Sequence, residues 1–129
     1  MTFPGIYKMQ KMIMIVDDSA SVRTVVGNAL KEAGYDVLEA CDGVDALSKL
    51  KGQKIHLIVS DVNMPKMNGI TLVKEIKKLP NYKFTPICML TTESGRAEME
   101  EGKAAGAKAW MTKPFQPPKL LEVISKLVP

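Results

Sequence analysis

Short apolar runs alternate with longer amphipathic stretches along this chain, and the alternation predicts strands and helices in turn. Five apolar runs of about five or six residues are bounded by polar or turn residues, as short buried strands are. The predicted strands cover residues 12–16, 35–40, 55–60, 86–90 and 108–112. The stretches between and after them have the spacing of helices with one apolar face. The predicted helices cover residues 19–33, 44–51, 70–79, 93–105 and 119–128.

Strands that alternate with helices predict a parallel sheet covered by helices on both faces, because each helix must return the chain to the same end of the sheet. Five such units favour a flavodoxin-like (βα)5 fold with strand order 2-1-3-4-5. A chain of 129 residues has room for one domain. We therefore assign residues 11–129 to one α/β domain and residues 1–10 to an N-terminal extension.

Composition and charge narrow the class of protein. The chain is 46% hydrophobic and 25% charged, and no apolar run approaches the ~20 residues that cross a bilayer. The extension lacks the basic and apolar regions of a signal peptide, so we expect a soluble, cytoplasmic protein. The net charge of +4 comes from lysines scattered over several segments. Such scatter indicates a solvated surface rather than a nucleic-acid or membrane partner.

The two cysteines and the one histidine of the chain do not have the spacing of a disulfide or a metal site. Cys41 follows the second predicted strand and Cys88 lies in the fourth. Three strand spacings, on the order of 14 Å, would separate them, which exceeds the reach of a disulfide. We expect two reduced thiols. His56 has no second histidine with which to bind a metal and is expected to be structural.

Polar side chains with complementary chemistry follow four of the five predicted strands. The first strand ends in Asp17 and Asp18, the third in Asp61, the fourth in Thr91 and the fifth in Lys113. Ligands of open parallel sheets bind at the carboxyl ends of the strands. The sequence therefore predicts that three carboxylates, a hydroxyl and an ammonium group converge at one edge.

This set of side chains predicts a site for Mg²⁺ and a phosphoryl group. Lys113 alone cannot neutralise three carboxylates, whereas Mg²⁺ favours carboxylate oxygens and completes its shell with phosphate oxygens and water. Asp61 is the best placed nucleophile, and Lys113 and Thr91 can meet the oxygens of the transferred group. Each element alone has a simpler explanation: Ser19 or Asp18 can cap a helix. The coincidence of four strand ends favours the phosphoryl site.

Four short segments of the chain resemble the signature of response-regulator receiver domains of the chemotaxis (CheY-like) type. They are Val16-Asp17-Asp18-Ser19, Asp61-Val62-Asn63-Met64-Pro65 with Gly69, Leu90-Thr91 and Lys113-Pro114-Phe115. The resemblance extends from about residue 12 to residue 128. It implies two-component signal transduction, in which a histidine kinase donates a phosphoryl group to the receiver.

The resemblance also implies a role for each matching residue. Asp61 would be the phosphoacceptor, and it would bind Mg²⁺ together with Asp18 and the backbone carbonyl of Asn63, while Asp17 would act through a water molecule. Thr91 would bond a phosphoryl oxygen and Lys113 would pair with it. The peptide bond between Lys113 and Pro114 would be cis.

The chain departs from the usual receiver sequence at residues that would transmit the signal and at residues that would set the lifetime of the phosphoryl group. Trp110 stands where the family usually has Tyr or Phe, an aromatic residue that swings inward when the residue at Thr91 moves. A Trp is larger and its indole N–H requires a partner when buried, so Trp110 either toggles or stays as a fixed contact residue. Thr92 is bulkier than the usual Ala, and Asn63 and Glu93 match the subtype with a short-lived phosphoryl state.

The predicted fourth helix has features of a moving element. It contains Gly95 and Gly102, each of which costs about 1 kcal/mol relative to Ala, and few large apolar residues besides Met99. Weakly held helices are the ones that shift in switches. Its alternative is an inert helix stabilised by Glu–Lys pairs.

The sequence therefore predicts a monomeric phosphoacceptor switch that catalyses only its own phosphotransfer and dephosphorylation. No segment follows Pro129 in this chain, so we expect it to act by binding a flagellar motor switch protein or another target through the face formed by the fourth helix, fifth strand and fifth helix. Alternatives are a phosphate-sink or twitching-motility receiver, a Mg²⁺-dependent phosphatase with Asp61 as nucleophile, and a flavodoxin-like cofactor carrier. The last would place Asp17 and Asp18 where they would repel a phosphate.

Overall fold

Five strands alternate with five helices in the computed structural model, which describes residues 11–92, 96–113 and 116–128. The elements are β1 (Met12–Val16), α1 (Ala20–Glu32), β2 (Asp36–Ala40), α2 (Gly43–Leu50), β3 (Leu57–Asp61), α3 (Gly69–Lys77), β4 (Ile87–Thr91), α4 (Arg96–Ala105), β5 (Ala109–Thr112) and α5 (Pro117–Leu127). The strands form one parallel sheet in the order β2-β1-β3-β4-β5. The predicted flavodoxin-like fold is confirmed.

The predicted elements agree with the observed ones to within about two residues wherever both are described. The helix predicted from Lys119 begins at Pro117, because proline fits the first turn of a helix, where its missing N–H is not needed. α1 ends as predicted before Gly34, whose φ of +97° suits a residue without a Cβ. The predicted start of α4 at residues 93–95 lies outside the described residues.

Two apolar clusters hold the helices on opposite faces of the sheet. On one face Val26 and Leu30 of α1 and Leu120 and Ile124 of α5 pack against the sheet. On the other face the cluster includes residues of α2 and α3 and the buried Tyr82. All five residues of β3 and all five of β4 are buried, as expected for central strands covered on both sides.

The register of the sheet aligns the carboxyl ends of the strands. Val16 pairs with Ser60, Asp61 with Leu90, and Thr91 with Thr112. The residues that follow β1, β3, β4 and β5 therefore emerge at one edge, as the sequence predicted.

The two cysteines are unpaired, as the sequence predicted. The thiols of Cys41 and Cys88 are free, and burial raises the pKa of Cys88 to about 12. Within the described ranges, no helix has the length and hydropathy needed to cross a bilayer.

His56 ties the chain before β3 to the start of β1. Its Nδ1 accepts a hydrogen bond from the backbone N–H of Met12 over 3.0 Å, and its own backbone N–H donates to the Met12 carbonyl over 2.8 Å. Desolvation, followed by the nearby charges of Lys11 and Lys54, lowers the pKa of His56. The histidine is therefore a neutral, hydrogen-bonded structural residue, as predicted.

The depressed pKa of His56 predicts a loss of stability in mild acid. The unfolded chain takes up this proton near the ordinary value of 6.5, whereas the folded chain resists it, so the stabilising contribution is complete above that value and is lost as the pH falls below it. We expect His56→Asn, whose amide oxygen can accept the same bond without titrating, to lose less unfolding free energy than the unaltered protein between pH 7 and pH 5. Urea denaturation at both pH values measures this, and equal losses would contradict it.

Candidate functional site

Three carboxylates meet at the carboxyl edge of the sheet. Asp17 and Asp18 follow β1 and Asp61 ends β3, and one oxygen of each lies within 4.8 Å of the others. Asp17 and Asp61 are buried, whereas Asp18 is exposed. The structure thus brings together the three acidic residues that the sequence predicted.

Lys113 inserts its ammonium group between the two buried carboxylates. Its Nζ lies 2.9 Å from Oδ2 of Asp17 and 3.6 Å from Oδ1 of Asp61. The side chain of Lys113 is 16% exposed, so the contacts are poorly screened by solvent. One positive charge therefore faces three negative ones.

Hydrogen bonds on either side of Asp17 fix its position. Its Oδ1 accepts the backbone N–H of Ser19 over 2.9 Å, and its backbone carbonyl accepts a bond from the guanidinium of Arg23 over 2.6 Å. Arg23 also pairs with Glu39 of β2 over 3.2 Å. Sequence reasoning missed Arg23, although a charged residue beside the apolar stripe of α1 was a signal that could have revealed it.

The helix cap that competed with a site at Asp18 is provided by Ser19. The Ser19 hydroxyl accepts the N–H of Val22 at the start of α1. Asp18 is therefore not needed to cap the helix, and its carboxylate lies within the acidic group.

The pKa of Asp61 is raised above its ordinary value. Burial is the main cause, and the negative charges of Asp17 and Asp18 act in the same direction. Lys113 and the backbone N–H of Val62, which donates to Oδ1 over 2.8 Å, oppose the shift. Positive charge near Asp61 therefore favours its ionised form.

Gly69 allows α3 to begin directly against the backbone of Asp61. A Cβ at this position would lie 2.2 Å from the Asp61 carbonyl oxygen and 2.7 Å from Cε of Met89. The Gly69 N–H donates to the Val62 carbonyl over 2.7 Å. The glycine is required because the strand that carries Asp61 and the first turn of α3 touch here.

The remaining predicted residues take different positions. Thr91 is the buried last residue of β4, and its backbone carbonyl accepts the N–H of Lys113 over 2.7 Å. Thr92 and Asn63 are exposed on the connections after β4 and β3. Glu93, Phe115 and the predicted cis bond to Pro114 lie outside the described residues.

Trp110 of β5 packs against α4 at a glycine. A Cβ on Gly102 would lie 2.4 Å from Cζ3 of the indole, so the ring occupies the space that a side chain would fill. The indole Nε1 is buried and has no hydrogen-bond partner in the described part of the chain. Gly102, which suggested a weak helix in the sequence, therefore has a packing role.

The donor set of the acidic group suits a hard divalent cation. At 4.8 Å two carboxylates repel each other by roughly 3 kcal/mol at an effective dielectric constant of about 20. All the donors are oxygen atoms, and Mg²⁺ or Ca²⁺ would be bound by such ligands while copper or zinc would favour nitrogen or sulfur.

Comparison with known proteins agrees with this geometry. The family model for the response regulator receiver domain matches residues 13–125. Chemotaxis protein CheY1 of Helicobacter pylori is 42% identical over 112 residues, which cover 85% of this chain and 90% of that protein. The structure of Vibrio cholerae chemotaxis protein CheY4 is 44% identical with a TM-score of 0.89, covering 92% of this chain and 99% of that chain.

A further similar structure contains a metal. The receiver domain of a sensor histidine kinase from Pseudomonas aeruginosa PAO1 is 26% identical with a TM-score of 0.85, and the match covers 93% of this chain and 98% of that chain. Its description places a magnesium ion in the active-site cleft of that protein.

The contact at Gly69 predicts that Gly69→Ala is destabilising. The added methyl group must displace the Asp61 carbonyl or Met89, and overpacking of this kind costs about 1–3 kcal/mol. Gly27→Ala is the matched control, because the nearest atoms to its Cβ lie 3.8 Å away and alanine favours a helix by up to about 1 kcal/mol. Urea denaturation of both variants measures the change in unfolding free energy. Equal changes would show that Gly69 is not in closer contact with its neighbours than Gly27.

The packing of Trp110 predicts that Gly102→Ala lowers the free energy of unfolding in the unaltered protein and raises it in the Trp110→Phe variant. In the unaltered protein the new Cβ collides with the indole, so we expect destabilisation and a shift in the emission of the single tryptophan. Combined with Trp110→Phe, whose smaller ring leaves space, Gly102→Ala should stabilise α4 through its helix propensity. A double-mutant cycle in urea measures the coupling. Additive effects would show that the ring and the glycine are independent.

Proposed function

We infer the function of this chain from its family, since it belongs to the response regulator receiver domains. Members of this family are phosphoacceptor switches. The chain is a two-component response regulator of the chemotaxis type. We further propose which residues perform the phosphotransfer and which partners receive the signal.

Asp61 accepts the phosphoryl group in this proposal. A carboxylate oxygen of Asp61 forms a bond to the phosphorus of a phosphohistidine on a histidine kinase, the bond from phosphorus to the histidine nitrogen breaks, and that nitrogen keeps the electron pair and takes up a proton. The product is an acyl phosphate on Asp61. The single observation that supports it best is the buried Asp61 carboxylate 3.6 Å from the Lys113 ammonium, beside two further carboxylates.

Asp17, Asp18, Asp61 and the backbone carbonyl of Asn63 would hold Mg²⁺. When bound, the ion supplies positive charge to the carboxylates and to the phosphoryl oxygens. The residues of the chain supply positioning: Ser19 and Arg23 hold Asp17, and the Val62 N–H orients Asp61. Lys113, already 2.9 Å from Asp17, would pair with the phosphoryl group.

The lifetime of the acyl phosphate would depend on side chains at the mouth of the site. Asn63 and Thr92 are exposed on the connections after β3 and β4, where in this proposal they flank the path of the attacking water. The larger Thr92 would restrict that passage, and Glu93 is assigned to the same function from its position in the sequence. The protein acts on its own phosphoryl group and on no other substrate.

Signal output would use the face formed by α4, β5 and α5. Thr91 moves toward the phosphoryl group in this proposal, and Trp110, which lies on the neighbouring strand and contacts Gly102 of α4, transmits the movement. A buried indole N–H without a partner among the described residues gains a hydrogen bond if the ring moves. The target would be a flagellar motor switch protein or a protein with an equivalent docking surface, bound by the monomer.

Acetyl phosphate labelling tests the assignment of Asp61. With Mg²⁺ the unaltered protein should gain one phosphoryl group, detected by intact mass, while Asp61→Asn should gain none because the amide is not a nucleophile. Asp36→Asn, an exposed aspartate at the opposite edge, is the matched control and should label normally.

Removing the metal is the second arm of the same experiment. Chelation of Mg²⁺ should reduce the labelling rate by at least about tenfold, since the uncompensated carboxylates repel the donor. Labelling that persists in Asp61→Asn would move the acceptor to another residue. A labelling rate that does not change on chelation would exclude the proposed role of Mg²⁺.

A further inference from the structure

Lysines separated in the sequence are gathered by the fold at the edge of the sheet opposite the carboxylates. Every connection from a helix to the next strand lies at this edge, and so does the start of β1. These segments contain six lysines and no acidic residue. Asp36, the first residue of β2, is an acidic residue that borders them, and its backbone N–H donates to the Lys11 carbonyl. We call them the lysine pole: Lys11, Lys51, Lys54, Lys78, Lys83 and Lys108.

The lysine pole is not explained by internal pairing. Lys78 pairs with Glu75 over 2.9 Å, and within the described residues the other five form no ion pair. Desolvation, and then the nearby charges of Lys11 and Lys54, lower the pKa of the neutral His56. Desolvation, and then the charge of Lys108, likewise lower the pKa of Lys77. Lys83 has its Nζ 5.7 Å from the ring centroid of Phe84. All but Lys11 are exposed.

Helix capping explains only part of this arrangement. Lys51 and Lys78 are the C-cap residues of α2 and α3, where a cation is favoured by the helix dipole. Lys54, Lys83 and Lys108 lie farther along the connections and precede strands. An unpaired positive surface of this kind repels itself and favours an anionic partner.

An apolar groove opens beside two of these lysines. It has a volume of about 370 Å³ and lies between the ends of α2 and α3, with Leu47, Leu50, Leu79 and Tyr82 among its lining residues. Two charged residues also line it: Lys51, and Glu75, whose charge is paired with Lys78. An adjoining depression of about 350 Å³ includes Lys54. Both contain Gly52, Asn81 and Tyr82.

Tyr82 fixes the floor of the groove. The residue is buried, and its one hydroxyl proton is shared between the carbonyls of Leu50 and Gln53, both within hydrogen-bond distance, so the connection after α3 is tied to the connection after α2. The groove is therefore preformed, and a ligand would not have to order it.

We propose that the lysine pole and this groove bind an acidic segment of another protein that carries an apolar side chain. The apolar floor accepts that side chain, and Lys51 and Lys54 pair with carboxylates beside it. Duplex DNA would match the charge but has no apolar group for a concave groove, and an anionic membrane would favour a convex apolar surface. The carboxylate site is about 17 Å away along the strands and shares no residue with the groove, so we expect binding that does not require phosphorylation.

A fluorescent peptide tests this proposal directly. The probe is an octapeptide with Leu-Phe at its centre and three Glu or Asp residues on each side, and binding is measured by fluorescence polarisation in low salt. Lys51→Glu/Lys54→Glu should weaken binding by at least about tenfold, and added salt should weaken binding to the unaltered protein. Replacing Leu-Phe with Ser-Ser in the probe should also weaken it by about tenfold.

A matched variant tests whether binding depends on the position of the lysines or only on the net charge of the protein. Lys74→Glu/Lys119→Glu also lowers the formal net charge from +4 to 0, since each reversal subtracts two charges, but these exposed lysines lie outside the pole. It should change binding less than about twofold, because exposed pairs away from the contact contribute little. Thermal melts followed by circular dichroism confirm that both variants are folded.

Several results would overturn the proposal. They are no binding of the acidic probe by the unaltered protein, equal losses in the two charge variants, or a Ser-Ser probe that binds as well as the Leu-Phe probe. Tighter binding of a DNA duplex or of phosphatidylserine vesicles, with the same sensitivity to Lys51→Glu/Lys54→Glu, would assign the pole to another class of partner. Binding that changes when Mg²⁺ and beryllofluoride are added would contradict independence from the carboxylate site.

Discussion

The repulsion among three carboxylates at one edge of the sheet is the constraint on which the rest of the structure depends. Two of them are buried, and the single ammonium of Lys113 lies 2.9 Å from Asp17 and 3.6 Å from Asp61. Such a group is stable only while other positive charge is available, and burial already raises the pKa of Asp61. The site therefore carries an excess of negative charge, and a similar receiver domain has a magnesium ion in its active-site cleft. Its chemistry follows from this imbalance of charge.

Short contacts to the backbone segments that carry the carboxylates build the scaffold around the site. Ser19 caps α1 and leaves Asp18 to the site, Arg23 holds the backbone of Asp17, and Gly69 lets α3 start against Asp61. Each contact fixes a backbone segment that carries an acidic residue. A rigid edge of this kind suits phosphoryl transfer, in which positioning and charge neutralisation supply most of the catalysis.

The fold separates charge along the strands as well as within the site. The carboxyl edge holds Asp17, Asp18 and Asp61, and the opposite edge holds the lysine pole with its apolar groove. Strands of five residues keep the two edges about 17 Å apart. A parallel sheet thus presents two chemically different surfaces, to which we assign the proposed phosphoryl transfer and the proposed acidic partner.

The sequence by itself determined the alternation of strands and helices, the strand order and the convergence of Asp17, Asp18, Asp61 and Lys113. These features depend on local periodicity and on the rule that parallel strands share their carboxyl edge. Only the tertiary structure decided that Ser19 caps α1, that Gly69 touches the Asp61 carbonyl and that Gly102 makes space for Trp110. It also gathered lysines that look scattered in the sequence into one pole. The Gly69 and Gly102 contacts and the lysine pole depend on how neighbouring elements pack in three dimensions, and the choice of Ser19 as the cap depends on local backbone geometry. Periodicity carries no information about either.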